Sequence, residues 1–201
     1  MEETKNYINK YLLPIIIKSG EKLEGNIFMT HRTTNYTKRF EGKIKNIENQ
    51  IKKENIKNVL EIGFNSGFSS LLMLFSNPNI KITCVDIVNH SYTIPCYKQI
   101  KKTFKDRINL IVGDSTLTLK EINQPFDLIH IDGGHTVKVA TNDIEESLRL
   151  SYNNTILIFD DYDNKKLKEL WDSYTENYKL KKVEMIDCKY HDIKQLIINY
   201  D

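Results

Sequence analysis

Apolar and polar positions along this chain fall into blocks whose period changes. Between residues 38 and 54, Phe40, Ile44, Ile47 and Ile51 recur at spacings of 4, 3 and 4, which predicts one helix with a single buried face. Five short apolar runs follow, at Asn58–Ile62, 80–86, Ile108–Val112, 126–132 and 155–160. Each is nearly continuous rather than alternating, as parallel strands covered on both faces require. Helical stretches separate them, at about 66–75, 94–104, 116–122 and 136–150, the last with Val137, Ala140, Ile144 and Leu148 on one side. The rhythm predicts an α/β, doubly wound, Rossmann-like sheet. It breaks at the end. A helix near 164–178 precedes runs at 179–187 and 193–200, with too few residues between them for a crossover helix. These two runs are expected to pair as an antiparallel hairpin. The first 36 residues show no clear period and include a polar stretch at 30–37.

A length of 201 residues fits one domain, with residues 1–37 as an N-terminal segment. No apolar run approaches the roughly 18 residues that span a bilayer. The early run Leu12-Leu13-Pro14-Ile15-Ile16-Ile17 also lacks the basic start and small-residue cleavage site of a signal peptide. Cys84, Cys96 and Cys188 are odd in number and never form a CxxC, which points to a reducing cytoplasm rather than a disulfide framework. With 29 basic and 27 acidic residues, no nucleic-acid partner is expected.

The candidate chemistry lies where strands end. Glu61-Ile62-Gly63-Phe64-Asn65-Ser66-Gly67-Phe68-Ser69 follows the first strand, and glycines there let a backbone approach a ligand closely. The full GxGxxG fingerprint is absent, since Asn65 takes its middle position, and a tight turn needs glycine in any case. Asp86 ends the second strand, where a carboxylate can accept from both hydroxyls of a ribose. Asp114 and Ser115 follow the third strand and suit either an adenine edge or a helix N-cap. Asp132 and the pair Asp160-Asp161 end the fourth and fifth. On neighbouring strands about 4.8 Å apart these carboxylates would converge, and Mg²⁺ would offset their charge. Helix capping is the plainer alternative. His135, three residues past Asp132, is a candidate base or simply a helix-entry residue. His130 lies within a strand and reads as a core histidine, and Cys84 likewise as core. His31, His90 and His191 stand in no evident constellation.

Together these stretches resemble the class I S-adenosylmethionine-dependent methyltransferases, over about residues 38–201. The segments Ile129-His130-Ile131-Asp132-Gly133-Gly134-His135 and Ile158-Phe159-Asp160-Asp161-Tyr162 resemble the metal-dependent small-molecule O-methyltransferases, such as the macrocin and sugar O-methyltransferases and, more distantly, catechol O-methyltransferase. The resemblance implies a seven-stranded sheet ending in the hairpin inferred above. It also implies that Glu61, Gly63, Asn65, Gly67 and Ser69 surround the methionine part of the cofactor. Asp86 would hold the ribose, and Asp114 and Ser115 would lie by the adenine. Asp132 would border the cofactor and, with Asp160 and Asp161, ligate Mg²⁺ or another divalent cation. His135, with Asp132, would serve catalysis. The implied acceptor is a hydroxyl of a small molecule or sugar, with residues 30–37, Arg32 among them, as a candidate lid. No membrane partner is expected, and a homo-oligomer is compatible. Three rivals share features with this reading: an NAD-dependent oxidoreductase, a nucleic-acid methyltransferase, and a catalytically silent cofactor-binding protein.

Overall fold

The computed structural model describes residues 1–197, so the end of the strand expected over 193–200 lies outside the described residues. Among the described residues, eight α-helices and seven strands follow in chain order. They are α1 (Glu2–Tyr7), α2 (Leu13–Ser19), α3 (Glu41–Ile51), β1 (Asn58–Ile62), α4 (Phe68–Ser76), β2 (Lys81–Asp86), α5 (Thr93–Phe104) and β3 (Ile108–Val112), then α6 (Ser115–Thr118), β4 (Leu128–Ile131), α7 (Val137–Arg149), β5 (Ile156–Asp160), α8 (Lys165–Asn177), β6 (Leu180–Lys182) and β7 (His191–Leu196). The sheet order is β3-β2-β1-β4-β5-β7-β6. Strands β1 to β5 run parallel, and β7 lies antiparallel between β5 and β6. The doubly wound sheet and its terminal antiparallel hairpin match the sequence expectation.

The sheet pleat sorts side chains onto two faces. Val59, Leu128, Ile156 and Ile158 join a core built with Ile8, Ile44, Ile47 and Leu71, under α1 to α5. Leu60, Ile129, Leu157 and Phe159 join a second core with Ile144, Leu167 and Trp171, under α7 and α8. The near-continuous apolar runs are explained by this two-sided cover.

Two segments differ from the sequence reading. The first 36 residues, which show no clear period, carry a helix in their first half. Residues 2–19 form one helical run that widens to a π turn at Ile8–Leu12, just ahead of Pro14, which has no N–H to donate. Ile8, Leu12 and Ile16, spaced by four, are buried in the first core, as are Leu23, Ile27, Phe28 and Met29. The contiguous run Leu12–Ile17 masked that period. The run expected at 179–187 keeps only three residues in the sheet. Beyond it, Asn46 of α3 takes over the backbone, accepting from Ile186 N and donating to Ile186 O, both at 2.8 Å. No helix among the described residues is long and apolar enough to cross a membrane.

Candidate active site

Strand order reverses between β1 and β4, the switch point at which open α/β sheets bind ligands beyond the carboxyl ends of their strands. A cavity of about 370 Å³ lies there, lined by Gly63, Asn65, Ser69, Asp86, Asp114, Ser115, Asp132 and His135. The sequence motifs after β1, β2, β3 and β4 therefore meet in one place.

The loop after β1 depends on glycine. Gly63 has φ +93°, and a Cβ there would fall 1.9 Å from the Asp132 carbonyl oxygen. The β1 and β4 loops therefore touch backbone to backbone, which only a residue without a Cβ permits. Gly67, at φ +77°, starts α4 behind the cavity wall, and a Cβ there would strike the Phe64 ring at 2.4 Å. Asn65, at φ +51°, supplies the left-handed turn that Asn tolerates. Its amide donates to Glu24 O at 2.8 Å and accepts from the Tyr92 hydroxyl at 2.9 Å. Asn65 thereby ties the N-terminal segment to the cavity rim, where Gly25, Asn26 and Ile27 form a wall.

Asp86 braces the same loop. Its Oδ2 accepts from Phe64 N at 2.7 Å and Asn65 N at 2.8 Å, and its Oδ1 from Val88 N at 2.6 Å. A carboxylate has about four acceptor sites, so about one remains for a ligand hydroxyl rather than two. Asp114 both lines the cavity and caps α6, accepting from Thr116 N at 2.9 Å and Thr116 Oγ1 at 2.8 Å. The two readings of Asp114 are compatible. Glu61 lies elsewhere. It is a wholly buried residue of β1, accepting from Ser70 Oγ and, at 3.1 Å, from His130 Nδ1. Glu61 and His130 are register partners on adjacent strands, so the pleat aims both into the core, away from the cavity. His130 is the core histidine its strand position predicted, and Cys84 is buried on the other side of Glu61.

A second cavity of about 390 Å³ adjoins the first and shares Gly25, Asn26, Asp132 and His135 with it. Its remaining walls include Lys43, Asp160, Asp161, Arg39, Phe40, Tyr190 and His31. Arg39 donates to the Tyr190 hydroxyl at 2.7 Å and stacks over that ring at 4.9 Å, while Phe40 meets the same ring edge-on. His31 is the part of the 30–37 stretch that reaches this cavity. Arg32 pairs instead with Glu24 at 2.6 Å.

The acidic group here does not close on one point. His130, Asp132 and Asp160 offer ligand atoms within 4.8 Å of one another. Asp161 stands apart. At φ +56° its carboxylate turns to His135, accepting from Nδ1 at 2.5 Å. Lys43 of α3, with a side chain only 7% exposed, forms an ion pair with Asp160. A Mg²⁺ held by Asp132, Asp160 and Asp161 does not fit this arrangement, because one carboxylate serves His135 and another already has a cation.

The charges follow from these contacts. Burial alone would push Asp160 up, but Lys43, together with smaller contributions from His130 and Asp132, outweighs it and holds the carboxyl at about 2. Burial and then the Asp160 charge push Asp132 well above the carboxylate range. Burial would lower Lys43, yet Asp160 and Asp132 raise it above an ordinary lysine. The hydrogen bond to Asp161, then the charges of Asp161 and Asp160, raise His135 against partial burial. Across the ladder from Asp160, burial drives His191 down to about 3, so it is a neutral partner of Asn46 at 2.9 Å.

Lys43 escaped the sequence reading. It sits four residues before Ile47 and seven before Gln50, on the flank of the stripe that α3 buries. A lysine on that flank was the available signal, although most such lysines reach out to solvent.

The model of a methyltransferase domain family matches residues 60–162, just over half of the chain. Compared with the curated proteins, the sequence matches none. Among solved structures, an O-methyltransferase from Bacillus cereus in complex with SAH is similar at 16% identity and TM-score 0.64, covering 98% of each chain. SAH-bound Podospora anserina methyltransferase PaMTH1 is similar at 18% identity and TM-score 0.63, covering 81% of this chain and 80% of that one. The O-methyltransferase TomG of Streptomyces achromogenes, involved in tomaymycin synthesis and solved with SAM, is similar at 15% identity and TM-score 0.60, covering 78% and 80%. The chain belongs to the methyltransferase domain family and has the fold of the class I S-adenosylmethionine-dependent methyltransferases.

Proposed function

We propose that the protein transfers a methyl group from S-adenosylmethionine to a hydroxyl of a small molecule or sugar. The observation that carries this reading is the pair of adjoining cavities that meet at Asp132 and His135. In the reading, the first holds the donor: Gly63, Asn65 and Ser69 surround its methionine part, Asp86 takes one ribose hydroxyl, and Asp114 and Ser115 border the adenine. The second holds the acceptor against Phe40 and Tyr190. Solved neighbours carrying SAM or SAH support the donor.

The sulfonium is already a good leaving group, so alignment supplies much of the acceleration. The acceptor oxygen attacks the methyl carbon, the new C–O bond forms as the C–S bond breaks, and the electron pair returns to sulfur. His135 Nε2 takes the hydroxyl proton while Asp161 holds Nδ1 and steadies the imidazolium that forms. A cytoplasmic location is part of the same proposal and rests on three unpaired cysteines.

Calorimetry with S-adenosylhomocysteine and with NAD tests the donor site. Binding of the first alone is expected; binding of NAD alone would turn the reading to an oxidoreductase.

A further inference from the structure

We propose that Lys43 is the resident cation of the acceptor cavity, standing where the strand-end motifs implied a divalent metal, so that this chain aligns its acceptor without one. The inference rests on the proposed methyl transfer.

Three observations carry it. First, the ammonium is placed by the fold. Asp160 ends β5 on the same sheet face as Ile156 and Ile158, and that face is covered by α3. Lys43, one residue before the buried Ile44, points down from α3 onto Asp160. Second, the pair is buried on both sides, with each side chain 7% exposed. A buried carboxylate needs a partner, and here the chain supplies it covalently. Third, Lys43 lines the acceptor cavity with Asp132 and His135, which border both cavities. An ammonium has three N–H donors. One is used by Asp160, which leaves donors for an acceptor oxygen.

An N–H bond to that oxygen would orient its lone pair toward the donor methyl and stabilise the developing oxyanion. The proton still leaves to His135, and the C–S electron pair still returns to sulfur. The cluster also explains why a second cation would be repelled: the Lys43 ammonium sits on Asp160 Oδ2, so an ion on the other oxygen, Oδ1, would lie beside a like charge. On the far side, Asp160 Oδ1 and His130 Nε2 have no hydrogen-bond partner among the described residues. Removing the ammonium would therefore leave a donor set of His130, Asp132 and Asp160 with nothing to neutralise it.

The experiment is calorimetry and thermal melting with MnCl₂, on the wild type and on Lys43→Met, which keeps the stem and drops the charge. Wild type is expected to show no Mn²⁺ binding heat and the same melting temperature in Mn²⁺ and in EDTA. Lys43→Met is expected to bind Mn²⁺ with a melting temperature several degrees higher in its presence, because a ligand of the native state stabilises it. Stoichiometric Mn²⁺ binding by wild type that Asp160→Asn abolishes would overturn the inference. If Lys43→Met does not fold, the wild-type titration still decides, and Lys43→Gln repeats the gain-of-binding arm. S-adenosylhomocysteine is titrated in parallel: its failure to bind would defeat the methyltransferase reading, whereas its binding together with Mn²⁺ at the aspartates would defeat the Lys43 inference alone.

Discussion

Gly63→Ala tests the join between the two cavities. The substitution adds one methyl group at φ +93°, and that carbon would lie 1.9 Å from the Asp132 carbonyl oxygen. Even a tight contact needs 3.0 Å, so the β1 and β4 loops must part by about 1.1 Å. The backbone conformation adds roughly 1–3 kcal/mol of strain for a residue with a Cβ. At roughly 2–4 °C per kcal/mol for a chain of this size, that strain alone lowers the melting temperature by about 2–12 °C. Gly20→Ala is the control. Gly20 has φ +75° but nothing within 4 Å of its would-be Cβ, so it carries the strain without the collision. Asp132 borders both cavities, and a shift of about 1 Å at a reacting centre can cost about a hundredfold in rate. Gly63→Ala should therefore melt lower than Gly20→Ala, bind S-adenosylhomocysteine more weakly, and lose about two orders of magnitude in turnover. Thermal melting and calorimetry on the two variants provide the comparison. Equal melting temperatures, with cofactor affinity intact in both, would refute the backbone contact as the element that sets the spacing of the cavities.

Asp161→Asn should move the rise of activity with pH to lower values. His135 works as a base only when neutral, and Asp161 raises its pKa, so wild-type rate falls as pH drops through that raised value. His135→Ala should cost roughly 10²–10⁴-fold in turnover with cofactor affinity nearly unchanged; an unaltered pH–rate profile in Asp161→Asn would detach the pair from catalysis. Glu61→Ala should destabilise by roughly 3–5 kcal/mol, since it leaves His130 and Ser70 buried without their shared acceptor. Urea unfolding measures this, and a loss below about 1 kcal/mol would mean that the Glu61–His130 contact is energetically idle.

The architecture was legible in the chain because its signals are local. Parallel strands buried on both faces leave apolar runs, and the helices between them leave a stripe of period 3.6. Strand-end motifs were legible for the same reason: in a doubly wound sheet every parallel strand ends at one edge, so Gly63, Asp86, Asp114 and Asp132 had to share a neighbourhood once the strands were assigned. The N-terminal helix was harder to read, because Ile8, Leu12 and Ile16 lie across a π turn and a contiguous apolar run.

What a side chain does within that neighbourhood was settled by tertiary contacts. Glu61 heads the first motif, yet cross-strand register pairs it with His130 and sends it into the core. Asp161 is adjacent to Asp160 in the chain, but a left-handed backbone turns it to His135, while the pleat leaves Asp160 under α3. Lys43 and Asp160 are 117 residues apart, and no local pattern links a helix lysine to a strand-end aspartate. Secondary structure and the shared edge of the sheet follow from continuous apolar runs and stripes of period 3.6, which each segment carries alone. The partner of a buried charge follows from which elements pack together, and that exists only in the folded chain.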